Sequence, residues 1–182
     1  GKGQRALNGA GGVHDLPGPH PPQAVARGVE AARGSEHNDR FIGSNRNTYS
    51  VDNYVEVFYG LAGDDTLDGS AGAIVVADYR FSTQAVTVNL LTGTAQDGHG
   101  GTDTLISVAG VRGSKYADSL IGNDLNNGFT GRGGNDTIDG GGGVNRVVFT
   151  GVFSEYSFEP ASLQFALICF WYPEHNQVCQ NY

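Results

Sequence analysis

Nine residues from Gly131 to Asp139, GRGGNDTID, constrain this chain more than any other stretch: glycine stands first and fourth, aspartate sixth, and an apolar residue eighth. The frame recurs at Gly60 to Asp68 (GLAGDDTLD), and more loosely at Gly34 to Ile42, Gly98 to Ile106 and Gly113 to Ile121. From Gly113 to Val148 four copies run without interruption, with Asp118, Asn127, Asp136 and Asn145 sixth and Leu120, Phe129, Ile138 and Val147 eighth. Glycines at one and four admit positive φ and so a tight loop, while a lone apolar residue between outward neighbours makes a very short strand with one inward anchor. A loop plus a strand is half a coil. Loops on the same edge therefore lie eighteen residues apart, as Asp118 and Asp136 do, and Asn127 and Asn145. The expected fold is all-β, a stack of nonapeptide half-turns.

Such loops suit a hard cation. Their carbonyls turn inward and the sixth-position carboxylate adds a charged oxygen, but Ca²⁺ takes six to eight oxygens and one loop supplies about half of them. Two stacked loops must cooperate. The repeat resembles the calcium-binding nonapeptide of RTX, or hemolysin-type, secreted bacterial proteins, which implies a right-handed parallel β-roll (a β-solenoid) that binds Ca²⁺ outside the cell after type I export. In that family's arrangement one loop gives the carbonyls of positions two and four and its aspartate, and the stacked loop gives those of positions one and three and its own aspartate. Carried over, this implies Ser114, Tyr116 and Asp118 with Gly131, Gly133 and Asp136. It implies Ser35, His37 and Asp39 with Gly60, Ala62 and Asp65, and a weaker or metal-free edge of Asn123, Leu125 and Asn127 with Gly140, Gly142 and Asn145. Asp103 is a further candidate, fifteen residues before Asp118, where a site requires a shortened coil.

Composition agrees with a thin stack. The 182 residues include 29 glycines and only 38% hydrophobic residues, too few for a conventional packed core. A formal charge of −8 argues against nucleic acid and for cations. No apolar run is long enough to span a bilayer, and no basic-then-apolar start resembles a signal peptide. With Gly1 first and no methionine, the sequence reads as a fragment or processed product.

Residues 1–33, rich in Gly, Ala and Pro, read as a disordered linker in which Ala24 to Ala32 has the length of two helical turns. Residues 34–79 form a first repeat block, interrupted by an insertion over 46–55 that spaces Asp39 and Asp65 by 26 residues. Within it the copy starting at Gly69 carries Ile74 in place of aspartate. Residues 80–112 read as connecting strands: Ala73 to Tyr79 and Ala85 to Leu90 link the blocks, the latter with Val86, Val88 and Leu90 inward, and Asp97 to Gly101 is a turn. Residues 113–158 form the second block, ending in an aromatic exit strand, Phe149 to Phe158. Residues 159–182 are a divergent tail or cap in which Leu163 to Tyr172 reads as a strand, and Cys169 and Cys179 have the spacing of a small disulfide loop.

Catalysis finds little support. His14, His20, His37, His99 and His175 show no zinc spacing, and no nucleophile elbow, phosphate loop or dinucleotide fingerprint occurs. The leading expectation is a calcium-dependent folding module. The alternatives are the non-catalytic end of a secreted protease, lipase or epimerase, or an adhesive or ice-binding solenoid with a cell-surface or polysaccharide partner. Outward Ser119, Thr137 and Arg146 do not form the regular threonine ladder that ice binding favours.

Overall fold

The computed structural model describes residues 29–44 and 55–149 in full, and elsewhere the strands at 6–7, 13–15, 25–27, 166–172 and 176–181. The expected insertion, up to Tyr54, and the exit strand beyond Phe149 lie outside the described residues. The described residues are all-β. The strands are β1 (Ala6–Leu7), β2 (Val13–Asp15), β3 (Val25–Arg27), β4 (Ala31–Arg33), β5 (Arg40–Ile42), β6 (Val55–Tyr59), β7 (Thr66–Asp68), β8 (Ile74–Asp78) and β9 (Thr87–Asn89). They continue with β10 (Thr94–Gln96), β11 (Thr102–Ile106), β12 (Val108–Arg112), β13 (Ser119–Ile121), β14 (Gly128–Thr130), β15 (Thr137–Asp139), β16 (Asn145–Phe149), β17 (Ala166–Tyr172) and β18 (Asn176–Asn181).

Two nine-stranded sheets result, one ordered β1-β3-β5-β7-β11-β10-β9-β13-β15 and the other β18-β17-β16-β14-β12-β8-β6-β4-β2. Successive strands alternate between them from β1 to β9 and again from β11 to β16, and like strands pair in parallel. The registers follow the repeat: Leu120 lies beside Ile138 and Phe129 beside Val147, both eighteen residues on, while Phe41 lies beside Leu67 across the longer interval.

Neighbouring side chains point to opposite faces, and one buried apolar side chain from most strands lines up with its neighbours in each sheet. In the first sheet these are Phe41, Leu67, Leu105, Val88 and Leu120; in the second, Ala32, Phe58, Ala77, Val111, Phe129 and Val147. The stacks meet in the middle, where the Phe41 and Phe58 rings lie 5.3 Å apart. With so narrow an apolar interior, the corner loops must hold much of the structure.

Four expectations are corrected here. Residues 25–27 and 31–33 are strands and not helical turns, and Val29 and Ala32 are buried, so a disordered linker does not extend through Arg33. β8 does not bridge two separate blocks: it pairs with β6 on one side and β12 on the other, so the blocks are continuous in the second sheet. β9, β10 and β11 form an antiparallel meander within the first sheet. Its first reversal uses Gly93 at φ 69°, where a side chain would also collide with the Leu105 carbonyl at 2.7 Å. Consequently β13 neighbours β9, and no shortened coil joins Asp103 to Asp118. In the C-terminal pair, antiparallel register sets Cys169 opposite Cys179.

Candidate metal-binding edge

The loops leading into β5, β7, β11, β13 and β15 share one edge of the first sheet, and those leading into β8, β14 and β16 share the corresponding edge of the second. Six of these loops are of two kinds. In Gly34–Asp39, Gly113–Asp118 and Gly122–Asn127 the second residue is Ser or Asn, and its side chain accepts the fourth-position amide: His37 N to Ser35 Oγ at 3.2 Å, Tyr116 N to Ser114 Oγ at 3.0 Å, and Leu125 N to Asn123 Oδ1 at 2.9 Å. In Gly60–Asp65, Gly131–Asp136 and Gly140–Asn145 the fourth residue is a glycine with positive φ: Gly63 at 106°, Gly134 at 96° and Gly143 at 73°.

Each loop of the second kind sits directly on one of the first. A methyl at Gly63 would lie 2.6 Å from His37 C, at Gly134 2.3 Å from Tyr116 C, and at Gly143 2.6 Å from Leu125 C. First-position glycine is needed for a different reason than the sequence suggested. Gly60 and Gly131 have no positive φ; instead a methyl there would fall 2.3 Å from Asp65 Oδ2 and 2.1 Å from Asp136 Oδ2. The second left-handed residue is at position two, as Leu61 at 76° and Arg132 at 79°.

Stacking brings the sixth positions together. The Asp118 amide donates to Asp136 Oδ1 at 3.0 Å, the Asp39 amide to Asp65 Oδ1 at 2.7 Å, and the Asn127 amide to Asn145 Oδ1 at 2.9 Å. Each lower residue also closes its own loop: Ser114 N donates to Asp118 Oδ2 at 2.7 Å, Ser35 N to Asp39 Oδ2 at 2.7 Å, and Asn123 N to Asn127 Oδ1 at 2.9 Å. Around Gly34 the Gly60 carbonyl and Asp39 Oδ2 converge, 2.2 and 2.8 Å from where a methyl would sit. Around Gly113 Asp118 Oδ2 and the Gly131 carbonyl do the same, at 2.3 and 2.8 Å. A carboxylate oxygen from one loop thus faces the first-position carbonyl of the next.

The asparagine edge repeats this geometry with different chemistry. Gly140 O and Asn127 Oδ1 approach Gly122, but Asn145 Nδ2 donates to the Gly142 carbonyl at 2.9 Å and the Asn127 Nδ2 donor is buried in the same corner. A donor group there opposes a cation and occupies one of its candidate carbonyls.

Asp103 stacks on Asp65, whose amide it accepts at 3.0 Å, and its other oxygen accepts the buried Tyr79 hydroxyl at 2.9 Å. Tyr79 follows β8 where other corners begin with glycine, and its side chain takes up the space toward Asp103. Two acids escaped the sequence reading. Glu56 closes the Gly43 loop across the insertion, accepting the Ser44 amide at 2.9 Å and the Ser44 hydroxyl, as Asp39 does for Ser35. The signal available was the Gly43-Ser44 start. Asp97 is buried in a supposed simple turn and accepts three successive amides, from His99, Gly100 and Gly101. Its signal was an aspartate just ahead of three glycines in four residues.

Electrostatics mark the same edge. Burial pushes the Asp65 carboxyl up to about 8, with Asp103, Asp39 and Asp97 adding repulsion. Burial likewise pushes Asp103 up to about 7 and raises Asp136, which Asp118 further opposes. Asp65 Oδ2 is buried with no hydrogen-bond partner. Among the described residues no three His, Cys, Asp or Glu side chains form a ready-made metal cluster, so main-chain carbonyls must supply most of any coordination. The Asp39/Asp65 and Asp118/Asp136 corners meet that requirement in part: carboxylate and carbonyl oxygens converge between stacked loops and Asp65 Oδ2 is bare, while Asp118 already accepts the Ser114 amide and hydroxyl and the Val86 amide. No protein-family model matches the chain, and no curated protein matches it.

Proposed function

We propose that the chain is a calcium-binding β-roll module of the RTX type, a non-catalytic unit that works outside the cell and is consolidated by Ca²⁺. The observation that carries this is the pair of stacked corners, Asp39 with Asp65 and Asp118 with Asp136, in which an aspartate oxygen faces the first-position carbonyl of the next loop. The alternation of strands between two sheets at the nonapeptide interval supports the same reading. Ser114, Tyr116, Asp118, Gly131, Gly133 and Asp136 would hold one ion, and Ser35, His37, Asp39, Gly60, Ala62 and Asp65 another. Bound there, the ion supplies the positive charge that lets neighbouring carboxylates ionise together. The chain's own part is to pre-bend the loops and to fix the aspartates by amide hydrogen bonds. The Asn127/Asn145 corner serves as a neutral turn.

No helix among the described residues is long and apolar enough to cross a membrane. Extracellular sites of this class bind with dissociation constants on the order of 10⁻⁴ to 10⁻³ M, so single sites stabilise weakly and a coupled set is required. Far-UV circular dichroism through a calcium titration tests this, with Asp118→Ala and Asp136→Ala alongside. A cooperative gain of β signal that weakens in the variants is expected; identical spectra in chelator and in several millimolar calcium refute it.

A further inference from the structure

We infer that the Asp97–Asp103 loop, lying against Gly60–Asp65, forms a site for a hard divalent cation in which Asp97, outside the nonapeptide frame, supplies the carboxylate. Asp97 is 0% exposed. Its Oδ1 is fixed by the amides of His99 (2.8 Å), Gly100 (2.9 Å) and Gly101 (2.9 Å), while Oδ2 is buried without a hydrogen-bond partner. A methyl built on Gly101 would stand 2.1 Å from the Gly63 carbonyl oxygen and 2.9 Å from Asp97 Oδ2. The bare carboxylate oxygen and a carbonyl of the neighbouring loop therefore close on one glycine, the same relation that Gly60 O and Asp39 Oδ2 have around Gly34. Asp65 Oδ2, also bare, belongs to that neighbouring loop.

Asp103, the aspartate the repeat would nominate, is committed elsewhere: one oxygen takes the Asp65 amide and the other the Tyr79 hydroxyl. Asp97 takes its place. The Ser82 hydroxyl, 2.5 Å from the Asp97 carbonyl oxygen, and the Thr83 hydroxyl, 3.0 Å from that of Gly98, fasten the loop to the segment after β8. Leaving a buried carboxylate oxygen bare is costly, and a cation or a shared proton are the two remedies. The two bare carboxylate oxygens, Asp97 Oδ2 and Asp65 Oδ2, with the Gly63 carbonyl converging on the first, favour the cation.

The choice of calcium rests on the function proposed above; the geometry at Asp97 stands apart from it. The test is calcium stoichiometry by calorimetry on the full chain, together with tyrosine-sensitised terbium luminescence, since Tyr79 ends on Asp103 of the same loop. Asp97→Asn keeps the acceptor for the three amides and removes the charge. It is expected to lower the stoichiometry by about one equivalent and to remove the Tyr79-dependent emission, which Asp118→Asn with Asp136→Asn leaves in place. Calcium bound by the parent chain and undiminished in Asp97→Asn overturns this inference alone, and points to a shared proton. No calcium bound by the parent chain overturns both readings. Should Asp97→Asn fail to fold, Tyr79→Phe decides: emission lost at unchanged calcium stoichiometry supports the site, and unchanged emission refutes it.

Discussion

Gly133 and Gly134 are adjacent, equally small and in one loop, yet alanine should have opposite consequences at the two. At Gly134 the backbone has φ 96°, and a methyl would lie 2.3 Å from Tyr116 C, 2.5 Å from Ala117 N and 2.5 Å from Tyr116 O. The obstacles are main-chain atoms, which cannot rotate aside. Left-handed strain costs about 1–3 kcal/mol and overpacking against a rigid neighbour about 1–3 kcal/mol, offset by roughly 0.4–1 kcal/mol from a stiffer unfolded chain. Gly134→Ala should therefore destabilise by about 1–6 kcal/mol. At Gly133 the nearest atom to a methyl is Lys115 O at 3.4 Å, an ordinary contact, and φ is not left-handed. Gly133→Ala should stay within about 0.5 kcal/mol of the parent chain or gain slightly. Urea unfolding followed by circular dichroism in saturating calcium, compared at equal slope, reads both. Equal destabilisation by the two variants, or none by Gly134→Ala, would mean that the loops do not stack as described.

Acidity should act oppositely on the metal-free and calcium-loaded chains. Asp65, near 8 when folded against an ordinary 3.8, and Asp103, near 7, bind protons more readily folded than unfolded, so metal-free stability should fall as pH rises from about 4 to 8. Calcium affinity should rise over that window; thermal unfolding in chelator and in calcium across pH checks both, and a metal-free optimum at pH 8 refutes the sign. Ser114→Ala removes a fully buried hydroxyl that donates to Asp118 Oδ1 at 2.7 Å and accepts from Tyr116 N, so a loss of about 1–3 kcal/mol is expected in denaturant titration. Asn127→Asp with Asn145→Asp should convert the neutral corner into a binding one, adding about one calcium equivalent by calorimetry; unchanged stoichiometry would show that Asp/Asn identity does not select the edge.

What the sequence conveyed depended on spacing. Regular intervals reveal which residues stack, so Leu120 beside Ile138 and Asp118 beside Asp136 were legible, and Asp39 beside Asp65 too, because a loop insertion leaves the register of its flanking strands intact. Alternation at Val86, Val88 and Leu90 marked inward faces but carries no sign of strand direction, which is why the antiparallel meander was missed. Ala32 was missed as an anchor because alanine beside glycine and proline looks like linker. Its small side chain suffices because Phe58 on the next strand fills the interior there. Glu56 escaped because the acid closing its loop comes after the insertion and is one methylene longer than expected.

The two kinds of loop have an order that explains where the acidic edge is left unsatisfied. A Ser- or Asn-closed loop comes first and a Gly-closed loop is laid on it, as Gly34 then Gly60, Gly113 then Gly131, and Gly122 then Gly140. Gly131–Asp136 leads into β15, which ends its sheet among the described residues, and Asp136 is half-buried. Gly60–Asp65 has no such end position, because β11 continues the sheet beyond β7. The loop that follows belongs to neither kind: Asp97 precedes its first glycine, Asp103 is tied to Tyr79, and none of its hydrogen bonds reaches Asp65 Oδ2. A Gly-closed loop enclosed between two others must either meet a hydrogen-bond donor or leave its aspartate oxygen without a partner. At Asp65 the chain takes the second course, which makes that corner the one where a cation changes stability most.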